Sequence, residues 1–151
     1  MYDVNFPPTI LVIHAKEKRA KCSLEPLRGR PDLCFVEFAA SLAGDWPGYV
    51  RLSVDGPPLS VADRESGLLL IDGSWRHAAH MHERYAHVPP RSLSGFRTAN
   101  PRVSKVFQDP AEGLASVEAL YIAYRILGRP TEGMLDHYFW RERFLKLNGW
   151  L

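Results

Sequence analysis

The sequence predicts an α/β protein built on a mostly parallel sheet, and three observations favour this fold class. The apolar run Gly67-Leu-Leu-Leu-Ile71 stops at Asp72 and turn residues, which is typical of a strand buried on both faces. A helical pattern, 76–85, follows it at once. A second pattern, 114–127, carries an apolar stripe at helical spacing and ends at Gly128 and Pro130.

The remaining elements follow from shorter patterns. β-branched and alternating runs predict strands at 9–13, 34–38 and 49–54. Residues 59–63 indicate a loop or short helix that Ser60 caps, and 91–97 a loop with strand character at its end. Residues 131–147 predict a last helix.

Composition limits the class of protein. A chain of 151 residues with 46% hydrophobic and 24% charged residues is typical of one globular domain, 1–151. The net charge of +2 does not demand a nucleic-acid partner. Cys22 and Cys34 are too few for a disulfide framework, so a reducing cytoplasm is expected. Neither a membrane span nor a signal peptide is expected.

The end of the run at Asp72 is the predicted functional site. Ligands of open α/β sheets bind at the carboxyl ends of strands, where the donors of the next helix point outward. We therefore expect Asp72, Ser74 and Trp75 to contact a ligand. The alternative, left open by the residues alone, is that Asp72 is only a turn acid and Trp75 only a core residue.

Other motifs carry less weight. His77 and His80 share a helix face, but no third ligand at a fixed spacing accompanies them, so no metal is predicted. Glycine-rich dinucleotide and phosphate loops are missing, as is a Gly-x-Ser-x-Gly elbow. Cys22 has no identified histidine partner, although His14 is a loop neighbour, so a thiol nucleophile is weakly supported.

Nine basic residues lie on predicted loops and form a candidate RNA-binding set if they share one face. The alternative is an ordinary solvated surface. The set is Lys16, Lys18, Arg19, Lys21, Arg28, Arg30, Arg97, Arg102 and Lys105.

Six short motifs occur in a fixed order along the chain. They are Lys21-Cys-Ser23, Leu59-Ser60 with Asp63, the run 68–75 ending Asp-Gly-Ser-Trp, Thr98-Ala-Asn-Pro101, 114–119 with Ser116 and Glu118, and 139–148. Taken together in this order, they resemble the small-subunit rRNA aminocarboxypropyltransferases of ribosome biogenesis and the related DTW-domain tRNA enzymes. The resemblance covers nearly the whole chain.

The resemblance implies a SPOUT-like fold with helices on both faces of the sheet and a C-terminal trefoil knot, a feature rare among proteins. It implies N-terminal strands and basic loops over about 1–65, and a knotted cofactor-binding part over about 66–151. It also implies a monomer that binds S-adenosylmethionine and transfers its 3-amino-3-carboxypropyl group to a uridine or pseudouridine of rRNA or tRNA. The by-product is 5′-methylthioadenosine.

The resemblance also assigns roles to individual residues. Asp72 matches the motif acid beside the cofactor and is the candidate catalytic residue. The cofactor-binding residues are expected to be Ser23, Leu59, Ser60, Ile71, Asp72, Trp75, Leu93 and Ser116. The RNA-binding residues are expected to be Lys16, Lys18, Arg19, Lys21, Arg28, Arg102 and Lys105.

The chain departs from the family pattern at three places. Gly73 replaces a frequent cysteine, Val61 a proline, and 102–105 a Val-Asn-Tyr-Gly stretch. These differences touch the expected adenine pocket and the loop facing RNA, so the sequence does not identify the RNA target. Two alternatives remain, a SPOUT-type methyltransferase that uses the same cofactor and a non-catalytic RNA-binding module of ribosome assembly.

Overall fold

A computed structural model describes residues 6–15, 22–39, 44–73, 75–99 and 114–151. The strands are β1 (Thr9–Ile13), β2 (Leu33–Glu37), β3 (Tyr49–Leu52), β4 (Gly67–Asp72) and β5 (Pro90–Arg91). The α-helices are α1 (Trp75–Arg84), α2 (Ser116–Leu127) and α3 (Arg141–Leu147), and short 3-10 helices span Glu25–Leu27 and Val61–Asp63.

The five strands form one parallel sheet in the order β2-β1-β4-β3-β5, which confirms the predicted α/β class. In the register of the sheet, Ile13 at the end of β1 lies beside both Asp72 of β4 and Glu37 of β2. Because the strands are parallel, their carboxyl ends share one edge, and Asp72 lies near its middle.

Side chains of β4 alternate between two hydrophobic clusters, as the pleat of a strand requires. Leu68 and Leu70 belong to a cluster that also contains Leu120 of α2 and Phe144 of α3. Leu69 and Ile71 belong to a second cluster, which contains Met81 of α1. The apolar run is therefore buried on both sides, in agreement with the sequence.

Helix α2 begins at Ser116, two residues later than predicted, and ends at Leu127 as expected. Gly128 has a φ of 71°, a left-handed conformation that side chains disfavour, and it stops the helix. Of the predicted apolar stripe, Val117, Tyr121, Tyr124 and Leu127 are buried, and Leu114 is partly buried.

Two predicted elements were wrong. Residues 131–147 are not one helix, because Gly133 takes a φ of 76° and successive turns, such as Met134 N–H to Thr131 C=O, precede α3. These turns bury Met134 and Leu135 without a helix. Strand character lies at the start of the 91–97 segment and not at its end, since Ser53 N–H bonds to Arg91 C=O.

None of the helices described is long and apolar enough to cross a membrane.

Candidate functional site

The site is built around Asp72, the last residue of the buried strand β4. Its carbonyl accepts a hydrogen bond of 3.0 Å from the backbone N–H of His14, so the end of β1 fixes its backbone. The side chain is only partly buried and projects at the edge where α/β sheets bind ligands.

Two side chains donate hydrogen bonds to opposite oxygens of Asp72. Ser116, the first residue of α2, approaches Oδ1 at 2.5 Å, and the Cys22 thiol approaches Oδ2 at 3.0 Å. The three residues are 44 and 50 positions apart in sequence, so only the folded sheet brings them together. The predicted residues Asp72 and Ser116 are thus in contact, and Cys22 is an addition.

Ser23 ties the loop after β1 to the start of α2. Its Oγ accepts a hydrogen bond of 3.1 Å from the backbone N–H of Val117. This satisfies one of the donors that a helix leaves open at its first turn. The side chain of Ser23 is therefore committed to the helix next to the Asp72 site, and its contact with a cofactor stays a prediction.

Cys22 is unsuited to act as a nucleophile. Burial, the hydrogen bond to Asp72 and the charge of that carboxylate together raise the pKa of the Cys22 thiol to about 12. The thiol is therefore protonated at neutral pH, and a neutral thiol reacts poorly. The weakly supported thiol mechanism is thus unfavourable.

A cavity of about 170 Å³, here called the α2 cavity, opens beside Ser116 between the carboxyl ends of β3, β4 and β5. Ile71, Leu93 and Ser116 line it, and all three were predicted to bind a cofactor. The lining also includes Ser94 and His82, which sequence reasoning did not assign to a ligand.

His82 is held by a buried arginine. Nη1 of Arg51 lies 2.7 Å from Nδ1 of His82, and Arg51 is 7% exposed. Because a guanidinium only donates, Nδ1 is the acceptor and the ring proton lies on Nε2. Burial and the charge of Arg51 lower the pKa of His82 to about 4, so the ring is neutral at pH 7.

Leu59 and Ser60 are placed differently from the other predicted cofactor residues. Leu59 is buried in the main hydrophobic cluster and does not line the α2 cavity. Ser60 caps the Val61–Asp63 turn, and its Oγ accepts from Ala62 N–H. In return Asp63 accepts from Ser60 N–H. Both residues have structural roles here, and their contact with a cofactor stays a prediction.

Helix α1 starts at Trp75, directly after the β4 turn, as predicted to within one residue. The side chain of Trp75 lies outside the described part of the structure, as does all of Ser74. Of the seven RNA-binding residues that the resemblance implies, Arg28 lies in the described part of the structure. The others lie outside it: Lys16, Lys18, Arg19, Lys21, Arg102 and Lys105. Arg30 and Arg97 of the wider basic set are also described, and Arg97 is exposed, whereas Arg30 bonds to Asp32.

A second cavity of about 300 Å³, here called the β2 cavity, lies at the carboxyl ends of β1 and β2. Cys22 and Arg28 line it, together with Phe35 and Glu37 of β2. The Arg28 guanidinium lies 4.4 Å from the centre of the Phe35 ring and bonds to Glu25 at 2.8 Å. Arg28 therefore shares a cavity with Cys22, which is a hydrogen-bond partner of Asp72.

Glu118 organises the loop and helix around the site, a role that sequence reasoning missed. Its fully buried carboxylate accepts hydrogen bonds from Thr98 Oγ1, Ala99 N–H, Ala115 N–H and the Tyr138 hydroxyl, at 2.6 to 2.9 Å. The sequence feature that could have revealed this role is the position of Glu118, because an acid at the third position of a helix often forms a capping box.

The histidines of α1 contact aromatic rings. His77 stacks on His14 with ring centres 3.8 Å apart, and His80 meets the edge of Phe38. Within the described ranges, no group of three or more His, Cys, Asp or Glu side chains is arranged to hold a metal ion.

The fold and the site together define a class of protein. It is a parallel α/β domain with two cavities at the carboxyl edge of its sheet, on either side of a hydrogen-bonded carboxylate. The chain is similar to the solved structure of the SAM-dependent rRNA:acp-transferase Tsr3 from Vulcanisaeta distributa. The TM-score is 0.69 at 24% identity, covering 94% of this chain and 79% of that one. No family model and no curated protein matches the chain.

At 24% identity the likeness to Tsr3 establishes the fold. Tsr3 is itself a member of the enzyme group that the sequence motifs resemble.

Proposed function

We propose that this chain is an S-adenosylmethionine-dependent RNA aminocarboxypropyltransferase. It would move the 3-amino-3-carboxypropyl group to a ring nitrogen of a uridine or pseudouridine, most suitably in rRNA, and release 5′-methylthioadenosine. The observation that carries the proposal is the convergence of Cys22 and Ser116 on Asp72, beside a cavity at the sheet edge. The fold shared with Tsr3 supports it.

The described residues fit this cofactor chemically. The Asp72 carboxylate is suited to the ammonium or the sulfonium of S-adenosylmethionine, both of which are cationic. The first turn of α2, at Ser116, presents backbone donors that suit the amino acid carboxylate. Ile71 and Leu93 provide apolar walls for the adenosine part. Trp75, on the family pattern, completes the amino acid end.

The protein's contribution to such a reaction is mainly orientation. The cofactor supplies an electrophilic carbon next to a positive sulfur, and the attacking atom belongs to the RNA base. Cys22 is protonated, so it does not compete as a nucleophile. Asp72 holds a cationic group or accepts the proton that the ring nitrogen loses.

Labelling S-adenosylmethionine at two different positions tests the proposal and distinguishes aminocarboxypropyl transfer from methyl transfer. Total RNA from a strain lacking this gene carries every other modification and is the substrate. Wild-type protein is expected to label it from S-adenosylmethionine labelled in the methionine carboxyl group, and not from the methyl-labelled compound. Incorporation of the methyl label would instead identify a methyltransferase.

Cofactor binding is tested separately by calorimetry. Wild-type protein is expected to bind S-adenosylmethionine, and Trp75→Ala is expected to lose most of that affinity. A well-folded wild type without affinity for the cofactor, in the presence or absence of RNA, would favour the RNA-binding module.

The finer predictions from the family belong to the same proposal. They are a SPOUT-like fold with helices on both faces of the sheet, a trefoil knot, a monomeric state and a cytoplasmic location. The resemblance implies a knot loop at Leu93 and Thr98 to Pro101, of which Asn100 and Pro101 lie outside the described residues. The free thiols of Cys22 and Cys34 support a reducing compartment.

A further inference from the structure

The β2 cavity has a mixed lining. Ile13, Phe35 and Val36 give it apolar walls, and Arg28 and Glu37 contribute groups of opposite charge. This lining suits a molecule with apolar faces and polar edges.

Asp72 lies between the two cavities. Cys22 lines the β2 cavity and donates to Oδ2, whereas Ser116 lines the α2 cavity and donates to Oδ1. A single carboxylate is thus bonded to one wall residue of each cavity. This is the arrangement that a transfer between two bound molecules needs, because the donor and the acceptor must meet at one point.

The polar groups of the β2 cavity match a pyrimidine base. The imide edge of uracil presents an N–H donor between two carbonyl acceptors. Arg28 offers donors to the carbonyls, and carboxylates such as Glu37 accept from N–H groups. The Arg28 guanidinium carbon also lies 4.4 Å from the centre of the Phe35 ring, and an arginine–aromatic pair of this kind is a surface on which RNA bases stack.

We propose that the β2 cavity binds the acceptor base of the RNA, turned out of its stack, while the α2 cavity holds the cofactor. This inference rests on the proposed function and names its second binding site. The ring nitrogen forms a bond to the first carbon of the 3-amino-3-carboxypropyl chain. The bond between that carbon and sulfur breaks, and its electron pair stays on the sulfur. The proton of the ring nitrogen passes to Asp72, which lies between the two sites.

Filling the β2 cavity tests this assignment. Ala15 lines the cavity and is exposed, so Ala15→Trp adds bulk there without altering the core. The variant is expected to bind S-adenosylmethionine within threefold of wild type by calorimetry. Its transfer of carboxyl label to RNA from the gene-deleted strain should fall at least tenfold. Ala86→Trp adds the same bulk at an exposed position outside both cavities, so it is the matched control and should behave as wild type.

A second pair of variants removes the polar contact. Arg28→Met keeps an apolar stem over Phe35 but loses every donor, and we expect roughly tenfold less transfer at saturating RNA. Arg28→Lys, which keeps the charge, separates a phosphate contact from a base contact. A base contact needs the planar fork, so Arg28→Lys should stay impaired at high and low salt alike.

The outcomes are distinct. Transfer at the wild-type rate in both Ala15→Trp and Arg28→Met would overturn the acceptor-site assignment and leave the proposed function intact. Loss of cofactor binding in Ala15→Trp would overturn the division into two sites. A wild type that binds the cofactor but labels no RNA refutes the proposed function itself, and the acceptor site with it.

Discussion

Nη1 of Arg51 lies 2.7 Å from Nδ1 of His82, and a second bond from Arg51 Nε to the Tyr85 carbonyl fixes the guanidinium. A buried cation therefore contacts a neutral imidazole beside the α2 cavity. The positive charge of Arg51 disfavours protonation of His82, and the hydrogen bond fixes the ring proton on Nε2.

The first prediction concerns acid stability. The pKa of His82 falls from 6.5 to about 4 on folding, so protonation favours the unfolded chain. Neutral His82 thus contributes up to about 3 kcal/mol to the free energy of unfolding. This contribution is fully present above pH 6.5 and is lost as the pH falls toward 4. Urea unfolding of His82→Asn, which cannot titrate, should show a shallower loss between pH 7 and 4.5 than wild type. Equal slopes would contradict the buried pair.

The second prediction concerns the hydrogen bond between Ser116 and Asp72. Removing a donor to a charged group costs about 1.5–3 kcal/mol, so Ser116→Ala should weaken S-adenosylmethionine binding by roughly tenfold or more. Calorimetry provides the measurement. Ser94→Ala is the matched control, because Ser94 lines the same cavity and is exposed. Comparable losses in both variants would argue against a special role for Ser116.

The third prediction concerns thiol reactivity. Cys34 is exposed, whereas Cys22 has a pKa near 12, so iodoacetamide at pH 8 should alkylate Cys34 much faster. In a Cys34→Ser background, Asp72→Asn should accelerate alkylation of Cys22, because burial still raises the pKa of the thiol but the carboxylate that adds to this effect is gone. Mass spectrometry of timed samples measures both rates. An unchanged rate would show that Asp72 does not control the thiol.

The fourth prediction concerns Glu118. Four donors converge on its carboxylate, and Glu118→Gln would turn an NH₂ group toward some of them. We expect the free energy of unfolding to fall by about 2–4 kcal/mol, measured with urea. Glu132→Gln on the exposed surface is the control and should change it little. A small effect at Glu118 would mean that the network is not maintained in solution.

The sequence predicted best what local pattern determines. Strand β4 and its end at Asp72 were found because four consecutive aliphatic residues leave few alternatives to a doubly buried strand. The end of α2 followed from Gly128 and Pro130. The segment 131–147 misled because its apolar residues occur at helical spacing, and only the left-handed Gly133 reveals the turns.

The contact between Cys22 and Asp72 could not be predicted from the sequence, for a different reason. The two residues are 50 positions apart, and no local periodicity connects them. The resemblance named Ile71, Leu93 and Ser116 as cofactor-binding residues, and that role stays a prediction, although all three line the α2 cavity. It did not reveal the buried charge of Arg51 behind His82. Such contacts depend on the order of the strands in the folded sheet, which no local sequence pattern encodes.

That strand order has a kinetic consequence. The neighbours of Asp72 come from the loop after the first strand and from a helix that begins 44 residues later. A ribosome must therefore release residue 116 before the site can close, and parallel pairings of high contact order form slowly. Recovery of cofactor affinity during refolding should lag behind helix formation and report the last long-range contacts.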